Sequence, residues 1–338
     1  MKAVALTRYL PIDDPESLVD VDLLQPTASG HDLLVRVEAV SVNPVDTKVR
    51  SPKAQIETQP KVLGYDAAGV IEGMGESVSG FSVGDHVYYA GDITRPGSNA
   101  QYQLVDARIV GHAPTSMEAA DAAALPLTSL TAWELLFQRM PFDSEHGGKG
   151  KSLLIIAGAG GVGSLAIQLA RRAGFVVIAT ASRPETSDWC RSMGAHHVID
   201  HRQPLPAQLQ ALGFADVDAV LNFADTDHYW EIIGEILAPQ GHVGLIVEPS
   251  GALHIGDPYK SKCIGIHWEL MFTRSRYKTA DQNEQGKILD RVAALIDAGE
   301  LHGTRTETLS PISAATLREA HRRLESGKTI GKLVLAGW

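Results

Sequence analysis

The segment Gly158-Ala159-Gly160-Gly161-Val162-Gly163 places glycines at the first, third and sixth positions of a G-x-G-x-x-G run. That spacing suits a pyrophosphate. Gly158 permits a tight turn, Gly160 lets the backbone approach the phosphates, and Gly163 lets a helix pack closely on a strand. Gly161 and Val162 open that helix, whose free N–H groups and partial positive charge face the anion. The run follows the apolar stretch Leu153-Leu154-Ile155-Ile156-Ala157. It opens a helix whose inner face is Val162, Leu165, Ala166, Leu169 and Ala170. Set between strand and helix, the motif predicts dinucleotide binding far more strongly than the glycines alone.

The next apolar stretch, Phe175 to Ala181, ends in Ser182-Arg183. A site for NAD usually offers a carboxylate here to the ribose 2′-hydroxyl. This chain has none from 180 to 183, and Glu185 comes late. Ser182 can donate a hydrogen bond to a 2′-phosphate and Arg183 can pair with its charge. NADPH is therefore the expected cofactor.

These residues need a scaffold. Strand candidates are Leu153–Ala157, Val176–Ala181, His197–Asp200, Ala219–Phe223, Val243–Val247 and Cys263–His267, and the segments between the first five are of helix length, which predicts a doubly wound parallel sheet. Pro126 to Phe137 reads as a helix before it. The first third differs: Val35, Val37 and Ala39 alternate with Arg36 and Glu38, and Gly64, Gly69, Gly73, Gly75, Gly80 and Gly84 punctuate short apolar runs. That pattern predicts a small antiparallel barrel. Helices over 288–296 and 314–324 and a last strand from Lys332 to Leu335 complete the chain.

At 338 residues two domains are expected. A net charge of −10 with scattered Lys and Arg argues against nucleic acid. No stretch has the length of a membrane span, and the first residues read as a strand, so a cytoplasmic protein is expected. Cys190 and Cys263 are far apart in sequence and are expected to pack in a helix and a strand. His196, His197 and His201 read as surface or turn residues without a cysteine to complete a metal set.

Several segments together resemble the medium-chain dehydrogenase/reductase superfamily. They are Gly64-Tyr65-Asp66-Ala67-Ala68-Gly69, Gly75 to Val87, Leu125 to Trp133, Ala157 to Arg171 and Gly331 to Leu335. Within it the chain looks like the quinone oxidoreductase branch, close to zinc-type alcohol dehydrogenase-like proteins. The resemblance implies a GroES-like barrel over 1–125 and 269–338, a Rossmann domain over 126–268, and an active site in the cleft between them. It also implies a homo-oligomer. Zinc-dependent members carry Cys where this chain has Asn43 and His-Glu where it has Tyr65-Asp66, so no metal site is expected. Asp66 is expected to hold a turn.

The same resemblance supplies the remaining site residues. Asn43, Lys48, Tyr65 and Thr128 are candidate donors to a substrate oxygen; Asn43 and Thr128 match positions beside the nicotinamide. Lys48 stands where related reductases often have Tyr, and is either a carbonyl-polarising group or a solvated charge. Tyr65 lines the site or packs the barrel. Asn222, Phe223 and Val247 should lie beside ribose and nicotinamide. Lys332 reaches phosphate or ribose, or is a strand-edge charge. Met271 to Tyr277 is a loop over the substrate mouth or a plain connection, and the loops at 50–60 and 268–280 shape the cleft. The implied activity is NADPH-dependent hydride transfer to a quinone or an α,β-unsaturated carbonyl. A zinc-type alcohol dehydrogenase and a non-enzymatic NADPH-binding protein are the alternatives.

Overall fold

The computed structural model describes every residue from Met1 to Trp338. Its contacts divide the chain into two units: Met1–Leu130 with Phe272–Trp338, and Thr131–Met271. The first division falls inside the helix Pro126–Glu134, a little beyond the break at 126 read from sequence. No helix is long and apolar enough to cross a membrane.

The first unit is built on strands. Its seven-stranded sheet runs in the order Arg305–Leu309, Lys332–Ala336, Asp32–Ser41, Ala67–Met74, His86–Tyr89, Gly111–His112, with Tyr102–Asp106 also paired to Asp32–Ser41. The alternation in Asp32–Ser41 has its expected cause: Val35, Val37 and Ala39 are buried, whereas Arg36 bonds Glu38 and Glu72 on the outer face. A second sheet joins Val19–Asp22, Lys2–Tyr9 and Lys53–Val62. Residues 53 to 62 are thus a strand and not the loop expected there. Their side chains are mostly exposed, so no apolar alternation marks them. Thr273–Tyr277, expected as loop, is a short helix whose Arg274 is buried and paired with Asp281 at 2.9 Å.

Helix Ala314–Glu325 buries His321 with neither ring nitrogen hydrogen-bonded. Burial, and then the Arg50 charge, push its pKa down to about 3. A depressed histidine pKa withholds stability as pH falls from the unfolded value near 6.5 toward the folded one, at about 1.4 kcal/mol per pH unit. We expect His321→Leu to raise Tm at pH 7, because it removes unpaired buried polar atoms worth about 1–3 kcal/mol each. It should raise Tm still more at pH 5. Thermal unfolding at the two pH values checks this, and an equal or smaller gain at pH 5 would contradict it.

The second unit is a six-stranded sheet, every pairing parallel, in the order His197–Ile199, Val176–Thr180, Ser152–Ile156, Val217–Asn222, Leu237–Leu245, Gly265–Trp268. Its central strands, Val176–Thr180, Ser152–Ile156 and Val217–Asn222, are buried on both faces, which is why they read as unbroken apolar runs. The chain winds outward one way from Ser152–Ile156 and the other way from Val217–Asn222. The order therefore reverses between these two strands, where open parallel sheets bind ligands beyond the strand C-termini. Cys190 is buried in the helix Pro184–Ser192, but Cys263 is exposed, in a positive-φ turn before the last strand and not within it. The helix expected to reach Phe137 becomes a π-helix at Leu135–Arg139, and Arg139 there pairs with the buried carboxylates of Glu134 and Glu269.

Candidate active site

The reversal point carries the glycine loop. Ile156 ends its strand, Ala157 adopts a positive φ of 63°, and helix Gly161–Arg172 starts after Gly160 as N-cap. A left-handed alanine costs about 1–2 kcal/mol, and its N–H bonds the Thr180 hydroxyl at 3.1 Å. A Cβ on Gly158 would sit 2.8 Å from the Ala179 Cβ, and one on Gly163 2.5 Å from the Ala157 carbonyl oxygen. At Gly160 the nearest atom would be 3.6 Å away. The outer glycines are thus required by packing, while the middle one leaves space in front of the helix. Gly161, Val162 and Gly163 form the first helical turn, whose N–H groups have no intrahelical acceptor.

Asn222 is the last residue of its strand, paired on one side with Ile156 and on the other with Leu245. It is fully buried; its Oδ1 accepts the Ala224 N–H at 3.1 Å, and its Nδ2 has no partner. An orphaned amide at this edge fits a cofactor that takes the bond. Phe223 and Val247 are half-buried beside it, and the Val247 carbonyl accepts the Thr226 hydroxyl at 2.6 Å. The cradle therefore fits a dinucleotide.

Beyond the strand Val176–Thr180, Ser182 and Arg183 are half-exposed. Arg183 pairs with Glu185 at 3.2 Å. A residue not singled out from sequence stands with them: Arg202 donates to the Ser182 carbonyl at 2.7 Å and to Asp200 at 2.8 Å, holding the Asp200 carboxyl down to about 2. Arg202 lies twenty positions along the chain, so only the pairing of Val176–Thr180 with His197–Ile199 brings it there.

The first unit holds a second polar cluster, and it revises four of the expected roles. Asn43 is buried; its Nδ2 donates to Asp66 Oδ2 at 2.7 Å and its Oδ1 accepts from Lys332. Its amide is used up internally and is not aimed at a substrate oxygen. Lys332 is buried too, and its ammonium spends its three protons on Val42 O at 3.0 Å, Asp66 Oδ2 at 2.9 Å and Asn43 Oδ1. It is neither a phosphate ligand nor a strand-edge charge. Tyr65 is buried with its ring edge-on to Phe272 at 5.3 Å, so it packs the unit. The Thr128 hydroxyl donates to the carbonyl of Leu125, the residue before its own helix, at 3.0 Å. Of the four candidate donors only Lys48 is exposed, on the short helix Pro44–Arg50.

Asp66 holds the cluster together. Its Oδ1 accepts the Leu127 N–H at 2.8 Å and its Oδ2 accepts from both Asn43 and Lys332. Burial raises its pKa, and the ammonium and the hydrogen bonds oppose that. Asp46, missed in the sequence, lies alongside: Oδ2 accepts the Asn43 N–H at 2.7 Å, Oδ1 is unpaired, and burial pushes the carboxyl up to about 7. Zinc is bound by Cys, His and carboxylate groups. Here an amide, a packed tyrosine and a carboxylate already neutralised by lysine stand at the corresponding positions, so these residues do not fit zinc.

The fold and the dinucleotide cradle define a two-domain nicotinamide-type oxidoreductase. Two family models match: the alcohol dehydrogenase GroES-like domain over residues 29–116, and the zinc-binding dehydrogenase over 193–335. A zinc-type alcohol dehydrogenase-like protein of Staphylococcus epidermidis is 40% identical over 336 residues, 99% of each chain. A crystal structure of a Rhizobium etli CFN 42 protein, provisionally named a zinc-dependent alcohol dehydrogenase, is 50% identical with a TM-score of 0.95. It covers 100% of this chain and 98% of that one. The 2-methylene-furan-3-one reductase of Solanum lycopersicum is 37% identical over 346 residues, 99% of this chain and 79% of the relative. The chain belongs to the medium-chain dehydrogenase/reductase superfamily, among the zinc-type alcohol dehydrogenase-like proteins. It is an oxidoreductase with a GroES-like domain and a Rossmann domain.

Proposed function

We propose that this protein is an NADPH-dependent reductase that delivers hydride to a quinone or an α,β-unsaturated carbonyl without zinc. The observation that carries the reading is the pairing of an open dinucleotide cradle with a polar cluster whose donors are unsuited to zinc. Without zinc as Lewis acid, alcohol oxidation loses its main means of stabilising an alkoxide. A quinone or enone accepts hydride with much less help. The tomato relative is named for reducing a compound of the second kind.

Bound NADPH supplies the hydride. The chain's part is to hold the cofactor: the Gly158–Gly163 loop and its helix would hold the pyrophosphate, Asn222 and Phe223 the ribose and nicotinamide edge, with Val247 beyond them. Ser182, Arg183 and Arg202 would meet the 2′-phosphate. Negative charge grows on the acceptor oxygen, and a positioned donor lowers its energy. Lys48 is the exposed cation among the candidates for that role, and solvent can deliver the final proton.

Arg183→Ala should reduce kcat/KM for NADPH about tenfold, the worth of one charge-assisted hydrogen bond partly offset by Glu185. NADH should change by less than about twofold. Steady-state kinetics with both cofactors check this, and an equal loss with both would remove Arg183 from the 2′-phosphate. Self-association belongs to the same reading, since Ile266 and Trp268 are exposed on the edge strand of the parallel sheet and Leu270 just beyond its end. Light scattering tests it.

The activity itself is tested by following nicotinamide absorbance with metal-free protein, NADPH or NADH, and a panel of quinones and enals. Rapid loss of NADPH, with NADH slower, is the expected result. NADPH binding without turnover on any acceptor, or turnover of alcohols only after zinc is added, would overturn it.

A further inference from the structure

We infer that the Lys332 ammonium is a resident cation: it fills a three-oxygen site made by Val42 O, Asn43 Oδ1 and Asp66 Oδ2, and deleting it turns that pocket into a site for a hard divalent ion. The inference bears on the zinc-free part of the proposed function but is tested apart from turnover.

The donors are a backbone carbonyl, an amide oxygen and a carboxylate, each delivered by a rigid neighbour. Val42 follows the strand Asp32–Ser41, Asn43 caps the helix Pro44–Arg50, and Asp66 precedes the strand Ala67–Met74. Asp66 is further fixed by the Leu127 N–H. All-oxygen sets of this kind suit Mg2+, Ca2+ and Mn2+, whereas zinc favours thiolate and imidazole. Charge points the same way. One ammonium faces two buried carboxyl groups, Asp66 and Asp46, and the Asp46 Oδ1 is buried without a partner. A divalent ion balances both. In the native chain the lysine is tethered by its own strand, Lys332–Ala336, so its local concentration exceeds that of any free ion and metal is kept out. Truncating it to alanine removes the charge and opens room for an ion with its waters. Methionine fills the room without restoring the charge.

The probe is Mn2+, read by its electron paramagnetic resonance signal and by thermal unfolding, on the full chain after dialysis against chelator. Wild type should leave Mn2+ free and show no change in Tm. Lys332→Ala should bind it at submillimolar concentration with a matching rise in Tm. Lys332→Met should not bind, and adding Asp66→Asn to Lys332→Ala should abolish binding. If Lys332→Ala is unfolded without metal, recovery of its far-ultraviolet dichroism on addition of Mn2+ is the supporting result. No recovery at millimolar Mn2+, or a folded Lys332→Ala that binds none, overturns the inference. So does wild-type protein that takes up stoichiometric Mn2+ or Zn2+ and loses it on Asp66→Asn. Failure of the quinone and enal panel leaves these outcomes unchanged, so the two readings fail separately.

Discussion

Asp66→Asn should cost about 3–5 kcal/mol of stability, the usual penalty for breaking one partner of a buried ion pair. The carboxylate has no exposure and makes three hydrogen bonds, to the Leu127 N–H, the Asn43 amide and the Lys332 ammonium. An asparagine keeps one acceptor but turns an NH2 toward a donor on one side. It also leaves the ammonium without its ionic partner. For a unit of this size Tm should fall by on the order of 10 °C. Replacing both residues, as Asp66→Asn with Lys332→Met, should recover much of that loss, because a buried charge no longer stands alone. Thermal or urea unfolding of the two single variants and the double variant measures the coupling. A loss below about 1 kcal/mol for Asp66→Asn would show that the cluster is not held by this carboxylate.

The second large effect is expected at the glycine loop, where two chemically identical changes should behave differently. Gly163→Ala places a Cβ 2.5 Å from the Ala157 carbonyl oxygen and 2.6 Å from that of Gly158. Both are backbone atoms and cannot move aside, so the loop must open. Overpacking of this kind costs about 1–3 kcal/mol, and the displaced first turn should weaken NADPH binding about 100-fold or more, as phosphate contacts worth several kcal/mol are lost together. Gly160→Ala meets nothing closer than 3.6 Å and has an ordinary φ of −75°, so Tm should change little. In the proposed cofactor site its methyl group would stand where the pyrophosphate approaches, so NADPH binding should still weaken about tenfold or more. Fluorescence titration with NADPH beside thermal unfolding separates the two variants. Parallel losses of stability and binding in both would mean that Gly160 serves packing and does not face the cofactor.

Much of the second unit was legible in the sequence because its chemistry is local. The run from Leu153 to Gly163 contains the strand, the turn and the helix start that it needs, and the apolar strands between 176 and 245 follow from burial on both faces. The absence of a carboxylate after Thr180 is likewise a property of four consecutive residues. Arg202 was not legible, since its approach to Ser182 depends on which strands are neighbours. The Lys53–Val62 strand was hidden by its exposure, and Thr273–Tyr277 by its brevity.

The polar cluster of the first unit marks the boundary. The sequence shows Asn43 and Tyr65 where the zinc-dependent members of the family it resembles carry Cys and His, whereas Asp66 keeps a carboxylate. The strand, glycine turn and helix start of the loop at 153–163 were readable because they lie in one contiguous segment. Only the tertiary structure decided that Asn43 and Lys332 serve each other and Asp66 rather than substrate or phosphate. Lys332 lies 289 positions from Asn43 and 266 from Asp66, and each residue has donors or acceptors enough for either role. The choice was made by burial: once the strands bring Lys332 beneath Val42 and Asp66, a charged group out of water must be paired where it stands.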